Sequence, residues 1–190
     1  LNEKEILEPL KHINIYLVKN ESYQNTIYNN IIENIKENNK ELPNFSNMDS
    51  FGYTLLQKPL MALNICYPNV ENTDNYENLI GKEGLKNFMN FKNKPTGDAR
   101  EDFEYSTPNK IFSYENIGNY SAKIKNICTN IINSKGIVLI YSNYIDSGVI
   151  PIALALEEIG FTRHNTSNKT LFKNAPTDPI DAISFKPKDS

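Results

Sequence analysis

Three consecutive side chains gather the polar chemistry of the second half of this chain: the Ser142 hydroxyl, the Asn143 carboxamide and the Tyr144 phenol. They stand between a continuous apolar run, 137–141, and a helical pattern that begins near Gly148. A hydroxyl and a carboxamide hydrogen-bond anionic oxygens, and a helix start presents N–H groups to an anion. A phenol ring stacks on a flat base or packs against its own fold. Equally, Ser142, Asn143 and Asp146 can simply make the turn and cap the helix. The residue types leave both roles open.

Covalent or hydrolytic chemistry would need more. Gly81-Lys82-Glu83-Gly84 holds a glycine–lysine pair, but the spaced glycine before it and the Ser or Thr after it are missing. A phosphate loop requires both, so a turn and a helix start are expected instead. His12 and His164 each stand alone, with no second ligand at metal spacing and no nucleophile motif beside them. Glu157-Glu158 and Glu101-Asp102 are sequence neighbours. Adjacent side chains on a helix point apart, so these pairs do not make an acid/base couple. Cys66 and Cys128 sit singly among apolar neighbours and are expected to be reduced core thiols. No catalytic, cofactor-binding or metal-ligating residue is predicted.

The formal charge of −3 opposes a protein that coats nucleic acid by bulk electrostatics, and Arg100 and Arg163 are the sole arginines. A chain of 190 residues can bury a core without disulfides or metal. No apolar run approaches the ~20 residues of a membrane span, so no membrane partner is expected. The thiols and the lack of a visible secretory signal point to an intracellular location. Because Leu1 opens the chain, a piece of a longer protein is also expected.

The elements that must position the three side chains follow from periodicity. Ile13, Ile15 and Leu17 alternate in strand fashion, and Tyr23, Ile27, Ile31 and Ile35 recur at helical spacing to about Asn38. A second helix is expected over 55–66, with Pro59 near its start, and a short one around Leu85, Phe88 and Met89. Residues 92–115, with Pro95, Gly97 and Pro108 among charges, are read as a mobile connection. Ile124, Ile127, Cys128, Ile131 and Ile132 share one helix face, with Ser121 as cap. The β-branched run 137–141 suits a strand buried on both faces, as in a parallel sheet. A helix from about Gly148 to Ile159 follows, closed by Gly160. The proline-containing stretch 165–190 is read as a polar, unstructured tail. Helix, buried strand and helix in succession predict an α/β fold.

From 121 to 161 the chain resembles the second lobe of superfamily-two helicases, closest to Swi/Snf-type remodellers and to poxvirus and giant-virus nucleoside triphosphatases. The resemblance is carried by Lys135-Gly136-Ile137-Val138-Leu139-Ile140-Tyr141-Ser142-Asn143, similar to helicase motif IV, and by 152–161. Upstream, Gln24 and Tyr28 follow the first strand pattern in the family's order. Leu55-Leu56-Gln57 and Asn64-Ile65-Cys66-Tyr67-Pro68 resemble its next helix, with Tyr67 in place of a histidine. The resemblance implies a partial RecA-like lobe over 1–164, a parallel sheet flanked by helices with loop-rich insertions. It implies weak backbone contacts to nucleic acid through Ser142, Asn143 and Tyr144. It also implies pairing with a first lobe that supplies ATP and Mg2+ binding, since neither that lobe nor the later arginine motifs are matched. The alternative expectation is a non-catalytic α/β interaction module in transcription or replication.

Overall fold

A computed structural model describes residues 14–38, 48–70, 72, 74–93, 100–163, 170–181, 184 and 186. His12, Ile13, His164 and 165–169 lie outside the described residues. The architecture is mixed helix and strand. Helix α1 spans Ser22–Asn38 and α2 spans Met48–Asn64; a 3-10 turn at Tyr76–Leu79 leads into α3, Gly81–Phe88. Strands β1 (Met89–Asn93) and β2 (Arg100–Tyr105) pair antiparallel. Then follow α4 (Ile117–Tyr120), α5 (Ala122–Ile132), a wide π turn at Ile145–Val149 and α6 (Ile150–Ile159).

The segment just after α2 is the hub. α1 buries Gln24, Ile27 and Ile31, and with Ala62, Cys66, Leu79 and Ile80 the two isoleucines form the smaller core. Gln24 is fully buried and satisfies two backbones at once. Its Nε2 donates to the Ala62 carbonyl at 2.8 Å, and its Oε1 accepts from the Ala122 N–H at 3.2 Å. Chain ends of two helices that cannot finish their own hydrogen bonds are thereby tied to a third. The Cys66 N–H donates to Tyr120 O and the Tyr67 N–H to Leu79 O, so 66–67 runs extended between α4 and the 3-10 turn. α2 begins seven residues before the expected start, which places Pro59 inside the helix and not in its first turn.

The larger core gathers Leu85, Phe88, Phe103, Phe112, Ile124, Cys128 and Leu154 around Ile65 and Tyr67. Burying each large side chain is worth roughly 1.5–3 kcal/mol. Both cysteines are free and buried, in line with the core-thiol expectation. The 92–115 stretch departs from the expected connection. It contributes part of the hairpin, and Phe103, Ile111 and Phe112 within it are fully buried. Asp102, at a left-handed φ of 58°, forms a bulge opposite β1 and places its carboxylate 2.8 Å from Lys92.

The tail also departs from expectation. Leu171 and Phe172 are buried, and Phe172 bridges Phe103 in parallel. Glu157 of α6 holds them: its carboxylate accepts the Leu171 N–H at 2.7 and 2.9 Å and the Phe172 N–H at 3.0 Å. Burial raises the Glu157 carboxyl above its ordinary value, although these N–H groups and Arg163 pull it back. Further on, the Ile180 N–H donates to Gly160 O.

The expected strands are not formed. Residues 14–18 and 137–141 belong to no sheet, and among the described residues the one sheet is the antiparallel β1–β2 pair. Ile137, Leu139 and Tyr141 are 103%, 93% and 85% exposed, and Ile15 and Leu17 are 84% and 94% exposed. The reason is physical: a strand exists only when another backbone shares its hydrogen bonds, and neither run makes a ladder bond to a described segment. The run therefore keeps the composition of a buried strand without the burial. Among the described residues no helix is long and apolar enough to cross a membrane.

Candidate nucleic-acid contact turn

Residues 142–149 connect the apolar run to α6, and their conformation follows from local hydrogen bonds. Ser142 is half-buried; its Oγ accepts from the Tyr144 N–H and donates to the Tyr144 carbonyl, both at 3.2 Å. That carbonyl also accepts the Val149 N–H at 2.9 Å, which closes the widened first turn before α6. The expected side-chain cap by Asp146 is absent; α6 starts at Ile150 with Val149 as an N-cap that makes no side-chain hydrogen bond, and Pro151 occupies its first turn. Gly160, at φ 107°, closes the helix where the sequence placed its end, in the left-handed conformation.

Gly148 is the steric centre of the turn. A Cβ there would lie 2.2 Å from Ser142 Oγ and 3.2 Å from Tyr144 Cβ. Only glycine admits this crossing. Ser147 and Gly148 are buried, and the Ser147 hydroxyl has no hydrogen-bond partner. Gly148 itself is therefore buried in the turn, between exposed Ile145 and Val149.

The second tie comes from far away in the chain. The Tyr67 hydroxyl donates to the Asp146 carbonyl, 79 residues on, while its ring stands edge-on to Phe112 at 6.5 Å. Tyr23 in turn donates its hydroxyl to Tyr67 O at 2.8 Å. Gly84 makes room for the Tyr67 ring, since a Cβ at 84 would meet Tyr67 Cδ2 at 2.6 Å. Gly81 and Gly84 thus serve the start and packing of α3, in keeping with the turn-and-helix reading of that stretch.

Of the three residues singled out in the sequence, the structure places Ser142 inside the turn, Tyr144 half-buried behind it, and Asn143 exposed at its tip. Asn143 Oδ1 accepts the Tyr141 hydroxyl at 2.5 Å, which leaves its amide nitrogen as the group best placed to donate outward. Tyr67 and Gly148 were not marked as positioning residues in the sequence. The one signal for Tyr67 was its place before Pro68, where the resembled family carries a different polar ring. Among the described residues no group of three or more His, Cys, Asp or Glu is placed to hold a metal ion. The Tyr67 ring occupies the space beside Gly84, so the Gly81-Lys82-Glu83-Gly84 stretch forms no phosphate cradle there. Compared with family models, curated proteins and solved structures, the chain matches none of them.

Proposed function

We propose that the chain is part of the second lobe of an ATP-dependent nucleic-acid helicase or translocase, and that the 142–149 turn grips strand backbone. The finer fold assignment, a partial RecA-like lobe, belongs to the same proposal. The observation that carries it is the order α5, apolar run, tight polar turn, α6, with Asn143 exposed at the tip and the turn braced from within by Ser142 and Tyr67. A braced turn holds a donor at fixed position, and an amide donor contacts phosphate oxygens without reading bases. ATP and Mg2+ act elsewhere in such a motor, on a first lobe that is its expected partner. In this reading Ser142 and Tyr144 position the contact, and Asn143 makes it.

The test is fluorescence anisotropy with single-stranded and duplex oligonucleotides at low and moderate salt. Binding is expected to be weak, independent of sequence and weaker at higher salt. Asn143→Ala should reduce affinity about fivefold, the equivalent of one hydrogen bond of ~1 kcal/mol. Affinity unchanged by that substitution removes the contact role.

A non-catalytic interaction module is the second reading. The observation in its favour is the naked apolar run at 137–141, which offers far more contact area to a protein than Asn143 offers to a phosphate.

A further inference from the structure

Beside the start of α1 lies a cleft of about 400 Å3, within the roughly 300–1,000 Å3 that small ligands occupy. Three stretches far apart in sequence meet there. They bring Glu21 and Tyr23 from the head of α1, Pro68 and Asn69 from the segment after α2, and Asn119 and Tyr120 from the end of α4. Their places are fixed from within. The Tyr23 hydroxyl donates to Tyr67 O, and Tyr120 O accepts the Cys66 N–H, so both rings hang on the 66–67 segment. The two rings stand edge to face with centroids 5.5 Å apart.

Both phenols are engaged by their own protein. The Tyr120 hydroxyl accepts from Asn109 Nδ2 at 2.9 Å, and burial raises the Tyr23 phenol above its ordinary value and keeps it neutral. The half-buried rings therefore offer a ligand aromatic surface rather than a reactive hydroxyl. The remaining lining is polar but not cationic. Glu21 is exposed and its carboxylate only accepts; Asn119 is exposed, and its carboxamide makes no hydrogen bond to a described residue. Among the described residues no lysine or arginine lines the cleft, so phosphate is not what it recognises.

A ligand that fits is flat, aromatic and uncharged. It carries an amine for the carboxylate and a ring nitrogen beside it for a carboxamide donor. Adenine has this edge: N6 donates and N7 accepts, the pair that a carboxamide reads. Bases also stack on tyrosine rings. We infer that the cleft binds an adenine base, with Tyr23 and Tyr120 as its aromatic wall, Asn119 on the base edge and Glu21 accepting from the exocyclic amine. The base belongs to a free nucleoside or to a single strand, and the chemistry is shared. The cleft has no lining residue in common with the 142–149 turn and does not depend on the strand-grip role given to Asn143.

The experiment is an NMR titration of the isotopically labelled full chain with adenosine, purine riboside and a short oligodeoxyadenylate, read at the Tyr120 backbone amide and the Asn119 side-chain amide. Adenosine should give a saturable shift at both. Purine riboside, which keeps the rings and N7 but lacks the amine, should bind about tenfold more weakly. Asn119→Ala and Glu21→Ala should each weaken adenosine about fivefold with an unchanged melt, since both positions are exposed. Asn143→Ala should leave adenosine affinity as it was. Tighter binding of the oligonucleotide than of adenosine upholds the site with the base presented by a strand; the reverse upholds it with a free nucleoside. No saturable shift with either overturns the inference. So does purine riboside binding as well as adenosine, or affinity that neither Asn119→Ala nor Glu21→Ala changes.

Discussion

The Tyr67 hydroxyl donates to the carbonyl of Asp146, joining the segment after α2 to the turn before α6 across 79 residues of sequence. Tyr67 is fully buried. Tyr67→Phe keeps the ring and its contact with Phe112 but leaves the Asp146 carbonyl without this donor. We expect a loss of about 1–2 kcal/mol in urea unfolding. If the turn is also what positions Asn143, strand affinity should fall in the same variant. A change in neither quantity shows that the hydroxyl is idle.

Gln24 offers a sharper stability test because it satisfies two backbones inside the smaller core. Gln24→Ala leaves the Ala62 carbonyl with only the weak Cys66 thiol donor, strands the Ala122 N–H and opens a gap between α1, α2 and α5. The expected cost is about 2–4 kcal/mol, from one unsatisfied N–H, one weakened acceptor and a small cavity. Gln24→Glu should be nearly as harmful, since a carboxylate cannot donate to Ala62 O. Equal stability of Gln24→Ala and wild type would contradict the bridge.

These ties show what the sequence carried and what it did not. The α1 repeat of Tyr23, Ile27, Ile31 and Ile35, the Ser121 cap on Ile124 and the closing Gly160 were legible because each depends on neighbours a few residues away. The Glu157 seat for Leu171 and Phe172 was hidden, because proline-rich composition speaks for a tail and says nothing of a carboxylate fourteen residues earlier. The 137–141 run was misread for a related reason. Apolar β-branched residues announce that a segment needs covering, but not which backbone will cover it. At the site, the exposed Asn143 could be anticipated from its turn, while the bracing by Tyr67 could not.

Glu157→Ala should release the tail. The Leu171 and Phe172 amides lose their acceptors, and hydrogen exchange at these two positions should accelerate well before exchange in α5 does. Burial holds the folded carboxyl above its ordinary value, so the folded state binds this proton more tightly than the unfolded chain. The contribution is then fully present below the ordinary value near 4.5 and is lost as pH rises through the raised folded value. Glu157→Gln, which cannot titrate, should show a flatter dependence of stability on pH across that window. A parallel pair of curves would remove Glu157 from the account.

The thiols predict behaviour at the other end of the scale. Burial pushes Cys66 up to about 12 and Cys128 up to about 11, from an ordinary 9.0. Folded thiols remain protonated while unfolded ones ionise, so stability is intact below pH 9.0 and falls as pH rises through the folded values. At pH 8, an aromatic disulfide reagent should label neither cysteine on the time scale of a free thiol, and both after urea is added. Rapid labelling of native protein would mean that the core around Ile65 opens readily.

Gly148 is where the turn can be broken with one carbon. Gly148→Ala places its Cβ 2.2 Å from Ser142 Oγ, closer than any real contact, so either the hydroxyl or the chain must move. Overpacking of this kind costs roughly 1–3 kcal/mol. The conflict is with a named atom, which makes it reversible: Ser142→Ala removes that oxygen and should recover part of the loss in the double variant. Ser142→Ala alone gives up both of its bonds to Tyr144 and should cost about 1 kcal/mol. A double-mutant cycle in denaturant therefore should show the two changes less harmful together than their sum. Strict additivity would mean that Gly148 is required for another reason, such as the 3.2 Å approach of Tyr144 Cβ, and that the Ser142 crossing does not set the shape of the turn.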